Sequence, residues 1–330
     1  MSFEVGELHP NTPHLFADLA ELMLLVGYLG RRTLHKNDLE SLLQTGAITP
    51  EEIDEEAIVE QIASANKLTT AERSNYLERQ LEDVLTQLNY RAKALANYYP
   101  FKAADEQIEL RAEFTNQQRI YIFLLACSRL RSFRKKGLPQ KWAKYFAEIS
   151  RLALRGLLPS NANARIFDAN SEDRKNYYST NLKHALKVLG RDLGADCDVK
   201  ECEKVSTSGD AGLDLVGTIE FSDGAATNYA ILGQCGAQET NWPSKTLEAH
   251  SIKFRHLFKV QFDYPSVMFT PVCFRSSTGE WVDNSSANGV LVADRGRILS
   301  LIDGQQKWDE IIGTNWFAQF EADFSSIEVD

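Results

Sequence analysis

The chain is poor in cysteine, lacks any long apolar run and has no surplus of positive charge, and each shortage removes a class of function. Its five cysteines, Cys127, Cys197, Cys202, Cys235 and Cys273, are odd in number and form no Cys-x-x-Cys pair. Neither a disulfide framework nor a zinc knuckle is therefore expected, and the thiols are read as reduced and mostly buried. No stretch of about 18 apolar residues occurs, so no membrane-spanning helix is predicted. The first ten residues lack the basic start and apolar segment of a secretion signal, which makes the cytoplasm the expected location. A net charge of −10 argues against nonspecific coating of nucleic acid and leaves that role to a local basic patch. There is no Walker A sequence, so nucleotide-driven movement would need an ATPase or helicase partner subunit. No helix-turn-helix, zinc finger or RNP aromatic motif is present to read bases.

What is present suffices for two domains: 330 residues, of which 43% are apolar. Residues 1–160 read as helical. Leu15, Leu19, Leu22 and Met23 recur at helical spacing, and Pro50-Glu51-Glu52 opens a further helix with acids in its first turn. Thr70–Tyr99 carries the apolar stripe Leu77, Leu81, Val84, Leu85 and Leu88 and stops at Pro100. Helices are also predicted over 118–133 and 141–158, and Pro159–Asn163 reads as the linker. Beyond it come a helix over 173–190, strand-like segments over 198–206, 213–221 and 229–235, a helix over 244–258 and a strand over 266–274. The expected fold class is α+β: a helical domain over 1–160, then a mixed central sheet flanked by helices over 161–330.

The stretch "GDAGLDLVGTIEFSDGAATNYAILGQCG" places Asp210 and Asp214 at the head of one strand and Gln234-Cys235 at the end of the next. This Gly-Asp-x-Gly-x-Asp and Gln-Cys pattern resembles the PD-(D/E)XK nuclease superfamily, most closely its Mrr-like restriction endonuclease branch. The resemblance covers roughly 173–274. It implies a restriction-endonuclease-like core and hydrolysis of DNA phosphodiesters with Mg2+, Mn2+ being the alternative ion. Magnesium prefers oxygen ligands from one or two carboxylates. Asp214 is the expected metal ligand, with Asp210 and the backbone carbonyl of Cys235 as further ligands and Gln234 as a neutral oxygen donor. The lysine that the family carries two residues after the glutamine is Gly236 here, and Lys245 is the expected migrated replacement. The helix glutamate common in that branch has no counterpart near Asn181.

A second feature is the basic run "SRLRSFRKKGLPQKWAK". Arg129, Arg131, Arg134, Lys135 and Lys136 would follow a phosphate backbone without reading sequence. Residues 98–130 also look similar to the helical leader of bacterial antiphage nucleases. Two function classes follow from these resemblances. One is a Mg2+-dependent DNA endonuclease in bacterial defence, acting alone, as a homo-oligomer or beside a partner subunit. The other is a noncatalytic nuclease-fold module, since Gly236 replaces the lysine.

Overall fold

The computed structural model describes residues 2–3, 12–45, 70–221, 223, 225–237 and 242–329. The chain forms two compact units, Met1–Leu138 with Cys273–Val282 and Glu321–Asp330, and Pro139–Val272 with Asp283–Phe320. The division precedes the expected linker because helix α5 (Leu138–Arg155) belongs to the second unit. A Cβ on Gly217 in that unit's sheet would meet Leu158 Cδ1 at 2.6 Å and Leu154 Cδ2 at 3.5 Å, so the end of α5 and the turn after it lie directly on the strand.

The first unit contains the predicted helices α1 (Pro13–Leu25), α3 (Thr70–Ala94) and α4 (Asn116–Ser128), with α2 (Lys36–Thr45) between them. The α3 stripe is buried at Leu81, Val84, Leu85 and Leu88, whereas the side chain of Leu77 and the helix expected at Pro50 lie outside the described residues. Burial of α1 goes beyond its apolar face and takes in His14, Asp18 and Glu21. Arg91 of α3 compensates, donating to Asp18 Oδ1 at 2.6 Å, Glu21 Oε1 at 2.9 Å and the His14 carbonyl at 2.6 Å.

This unit is not purely helical. Strands β3 (Phe101–Ala104) and β4 (Gln107–Leu110) form an antiparallel hairpin that β2 (Thr33–His35) extends. The segment expected as part of a helical leader pairs as strands because Phe101 and Ile108 are buried beside exposed polar neighbours, with Asp105-Glu106 as the turn. A second small sheet joins β1 (Ser2–Phe3), β5 (Phe133–Arg134) and β11 (Glu328–Val329).

The second unit is built on a five-stranded mixed sheet. Its strands are β6 (Asn163–Ile166), β7 (Leu215–Ile219), β8 (Tyr229–Cys235), β9 (Ser266–Phe269) and β10 (Leu291–Ala293), in the spatial order β10-β9-β8-β7-β6. Strands β6, β7 and β8 are antiparallel neighbours, and β8, β9 and β10 are parallel. Helix α6 (Leu182–Asp192) buries Leu182, Leu186 and Leu189 in the same core as Val216, Ala230 and Leu232 of the sheet. The mixed sheet with flanking helices makes the fold α+β.

Four local expectations are corrected. Residues 199–204 form helix α7 (Val199–Lys204), because Asp198 caps it by accepting from Lys200 N and Glu201 N. Cys197 and Cys202, expected as reduced thiols, are paired as a disulfide across that cap; Cys127, Cys235 and Cys273 form no disulfide. The helix expected over 244–258 is replaced by two short 3-10 turns, Trp242–Lys245 and Ser251–Lys253. The helix expected over 173–190 breaks at Ser179, whose φ of 110° no helix accepts, leaving a π turn Arg174–Tyr178 before α6.

Candidate metal centre

Asp214 sits one residue before β7, and its backbone is held on both sides. Its N–H donates to the Gly233 carbonyl at 3.0 Å, and its carbonyl accepts from Phe167 N at 2.6 Å. Since Ile166 pairs with Leu215, the chain leaving β6 passes directly beside Asp214, and Asp168 lands there. Asp210 arrives from the other direction in a tight turn. Gly209, Ala211 and Gly212 have φ values of 92°, 59° and 78°, and Asp210 Oδ1 accepts from Gly212 N at 2.9 Å. A Cβ on Gly212 would also press on Glu248 Cβ at 3.3 Å. Glycine is thus required there for conformation as well as for space.

The outcome is a convergence of three carboxylates. One oxygen each from Asp168, Asp210 and Asp214 lies within 4.8 Å of the others. Desolvation by burial, reinforced by the charges of Asp210, Asp168 and Glu248, pushes the Asp214 carboxyl up to about 7, against the pull of the Cys235 N–H. The neighbouring Cys235 thiol is raised as well, by burial and then by Asp214, so the site offers no thiolate. Gln234 is buried; its Nε2 donates to Glu248 Oε2 at 3.3 Å, while its buried Oε1 has no hydrogen-bond partner among the described residues. Three converging hard oxygen donors fit Mg2+ or Mn2+ and do not fit a soft ion, and the orphaned Gln234 amide oxygen on the strand that pairs with β7 is of the same hard type.

A cavity of about 280 Å3 opens onto this cluster, lined by Asp168, Asn170, Asp214 and Cys235 and, from α5, by Gln140 and Lys144. Lys245, the expected replacement for the motif lysine, is half-buried at the end of its 3-10 turn and does not line this cavity. Gly236 itself has no room for a side chain: a Cβ would stand 2.5 Å from Trp242 Cβ and 3.1 Å from Met268 Sδ.

The structure thus places Asp214 and Asp210 together with Asp168, with Cys235 on the same cavity, while the Gln234 side chain bonds to Glu248; Lys144 lines the cavity as well, and the buried Arg174 lies in the field of Asp210 and Asp168. The only sequence signal for Asp168 is its place after the apolar pair Ile166-Phe167. In the basic run, Arg129 is buried, with Nε donating to Ser132 Oγ at 3.4 Å, and does not belong to a phosphate-binding surface. Arg131, Arg134, Lys135 and Lys136 are exposed, and Lys135 Nζ lies 4.0 Å from Asp323. Comparison of the chain with family models, with curated proteins and with solved structures finds no match.

Proposed function

We propose that the chain is a divalent-cation-dependent nuclease that hydrolyses DNA phosphodiester bonds, with a role in bacterial defence against foreign DNA. The observation that carries this reading is the meeting of Asp168, Asp210 and Asp214 within 4.8 Å at the adjoining ends of β6 and β7. Three like charges at that range repel strongly unless a cation or a proton intervenes. The bound cation, Mg2+ or Mn2+, would supply an activated water and offset charge on the phosphoryl group. Asp168, Asp210 and Asp214 would hold it, and Asp214 is oriented for this by the Cys235 N–H. The Gln234 amide oxygen, buried without a partner among the described residues, and the Cys235 carbonyl would be the neutral oxygens to join them. From α5, Lys144 and Gln140 line the same cavity and would present a cation and an amide to an anionic substrate, which suits a phosphodiester better than a neutral ligand.

A second reading has its own support. Gly236, packed against Trp242, leaves no side chain at the family's lysine position, which suits a noncatalytic module that binds nucleic acid or a partner subunit. Supercoiled plasmid incubated with the pure protein and Mg2+, Mn2+ or EDTA separates the two. Metal-dependent nicking that Asp214→Asn abolishes is expected. Metal binding without nicking would favour the module, and nicking that persists in EDTA would overturn the metal reading.

A further inference from the structure

We propose that Arg174 is the positioning residue of the metal centre, holding Asp168 and Asp210 at the separation a divalent cation needs; this rests on the cation-binding role of the three aspartates. Arg174 is fully buried, and among the described residues no carboxylate lies within ion-pair distance of it. Its donors are spent on backbone. Nη1 donates to the Phe167 carbonyl and to the Gly209 carbonyl, both at 3.0 Å, and Nε donates to the Ser179 carbonyl at 3.0 Å. Phe167 immediately precedes Asp168 and Gly209 immediately precedes Asp210, so one guanidinium nitrogen ties together the two loops that deliver two of the three acids. The Phe167 ring lies 4.7 Å from the guanidinium carbon and closes the fork from the side.

The loop that carries Asp168 is fastened to the same point. Asp173 accepts from Ile166 N at 2.7 Å, Ser171 Oγ donates to the Ile166 carbonyl at 2.9 Å, and Arg174 N donates to Ser171 Oγ at 3.1 Å. A buried arginine serving the fold alone is ordinarily neutralised by a contacting carboxylate, as Arg91 is. Burial pulls the Arg174 guanidinium down instead, and Asp210 and Asp168, whose fields act on it without contact, oppose that pull. It therefore does two things at once: it fixes the spacing of the acids through their backbones and offsets part of their mutual repulsion before any cation arrives.

The test is calorimetric titration of Mn2+ into the full chain and into Arg174→Lys, Arg174→Met and Asp214→Asn, each held well below its melting temperature. The parent is expected to bind Mn2+ and Asp214→Asn to lose binding. Arg174→Met should bind about 100-fold more weakly and Arg174→Lys about 10-fold, since an ammonium restores the charge but not the fork. A purely structural role would lower the melting temperature and leave the affinity of the folded protein alone. Folded Arg174 variants with parental Mn2+ affinity would overturn the positioning role while sparing the metal reading. Absence of Mn2+ binding by the parent would overturn both. Should the variants not fold, Mg2+ added to parent protein carrying 15N-labelled arginine is expected to shift the Arg174 Nε–H resonance, and an unmoved resonance would overturn the proposal.

Discussion

The Cys235 N–H donates to Asp214 Oδ2 across 2.7 Å, from the end of one strand to the start of its neighbour. The bond favours the charged carboxylate, yet burial and the surrounding acids win and raise its titration from 3.8 to about 7. A carboxyl raised in the fold binds more protons than it does unfolded, so the contribution of Asp214 to the stability of the metal-free protein is greatest at acid pH and is lost as pH climbs towards 7. The loss is at most about 1.4 kcal/mol for each pH unit in that window. Asp214→Asn should flatten this slope, stabilise the metal-free protein at pH 8 and abolish cleavage. Urea unfolding in EDTA at several pH values, read beside plasmid nicking, checks all three; parallel pH slopes for parent and variant would contradict the burial of Asp214.

Much of this corner was legible in the sequence, because β7 and β8 are short apolar strands joined by a polar turn and followed by Gly236 after Gln-Cys. Asp168 was not legible. The strand before it is four residues long with only Ile166 fully buried, too short for a period to register. Glu248 and Arg174 look like ordinary solvated charges along the chain, and only tertiary packing removes water from around them. The predicted helix over 244–258 fails for a related reason: its buried residues Thr246, Ala249, Phe254 and Leu257 pack from successive short turns instead of from one continuous face.

Gly236 gives a prediction against the nuclease pattern that the sequence resembles. Introducing a lysine by Gly236→Lys should damage the protein, since the first side-chain carbon already collides with Trp242 and Met268. Gly236→Ala is expected to cost about 1–3 kcal/mol by overpacking, and Gly236→Lys more. Chemical denaturation measures both; parental stability in Gly236→Lys would mean that Trp242 yields readily.

Arg91 is the keystone of α1 and α3. Arg91→Met leaves Asp18 and Glu21 buried without their cation, at a cost of about 3–5 kcal/mol. Chemical denaturation of the parent, Arg91→Met and Arg91→Lys measures it, with Arg91→Lys expected to recover part of the loss; parental stability in Arg91→Met would mean that the two carboxylates need no cation.

The exposed part of the basic run predicts a salt effect. Arg134→Glu combined with Lys135→Glu should weaken binding to a DNA duplex and flatten its salt dependence by about one unit of slope for each phosphate no longer neutralised. Arg129→Glu is no test of binding, because that side chain is buried. Fluorescence anisotropy between 50 and 200 mM salt, a range over which about 10³-fold changes are ordinary for phosphate-gripping proteins, decides it. Equal slopes would make the run a solvated turn.

The last prediction sets Lys144 against Lys245. A cation that stabilises charge on a phosphoryl group must face the cavity into which Asp168 and Asp214 point, and of the two lysines only Lys144 lines that cavity. It also stands on α5, an 18-residue helix, whereas Lys245 ends a four-residue turn. A rigid support holds a donor in place at less entropic cost. Lys144→Met should therefore lower kcat by about 10²-fold with Mn2+ affinity preserved, and Lys144→Arg should recover part of it. Lys245→Met should leave cleavage close to parental. Single-turnover cleavage at saturating Mg2+ for the three variants gives the answer. A large loss in Lys245→Met alone would return the role to that lysine through a rearranged 3-10 turn. Unaltered rates in both would mean that the three aspartates and their cation act without a lysine, leaving Gln140 and Asn170 as the polar groups on the cavity wall that remain to meet the phosphate.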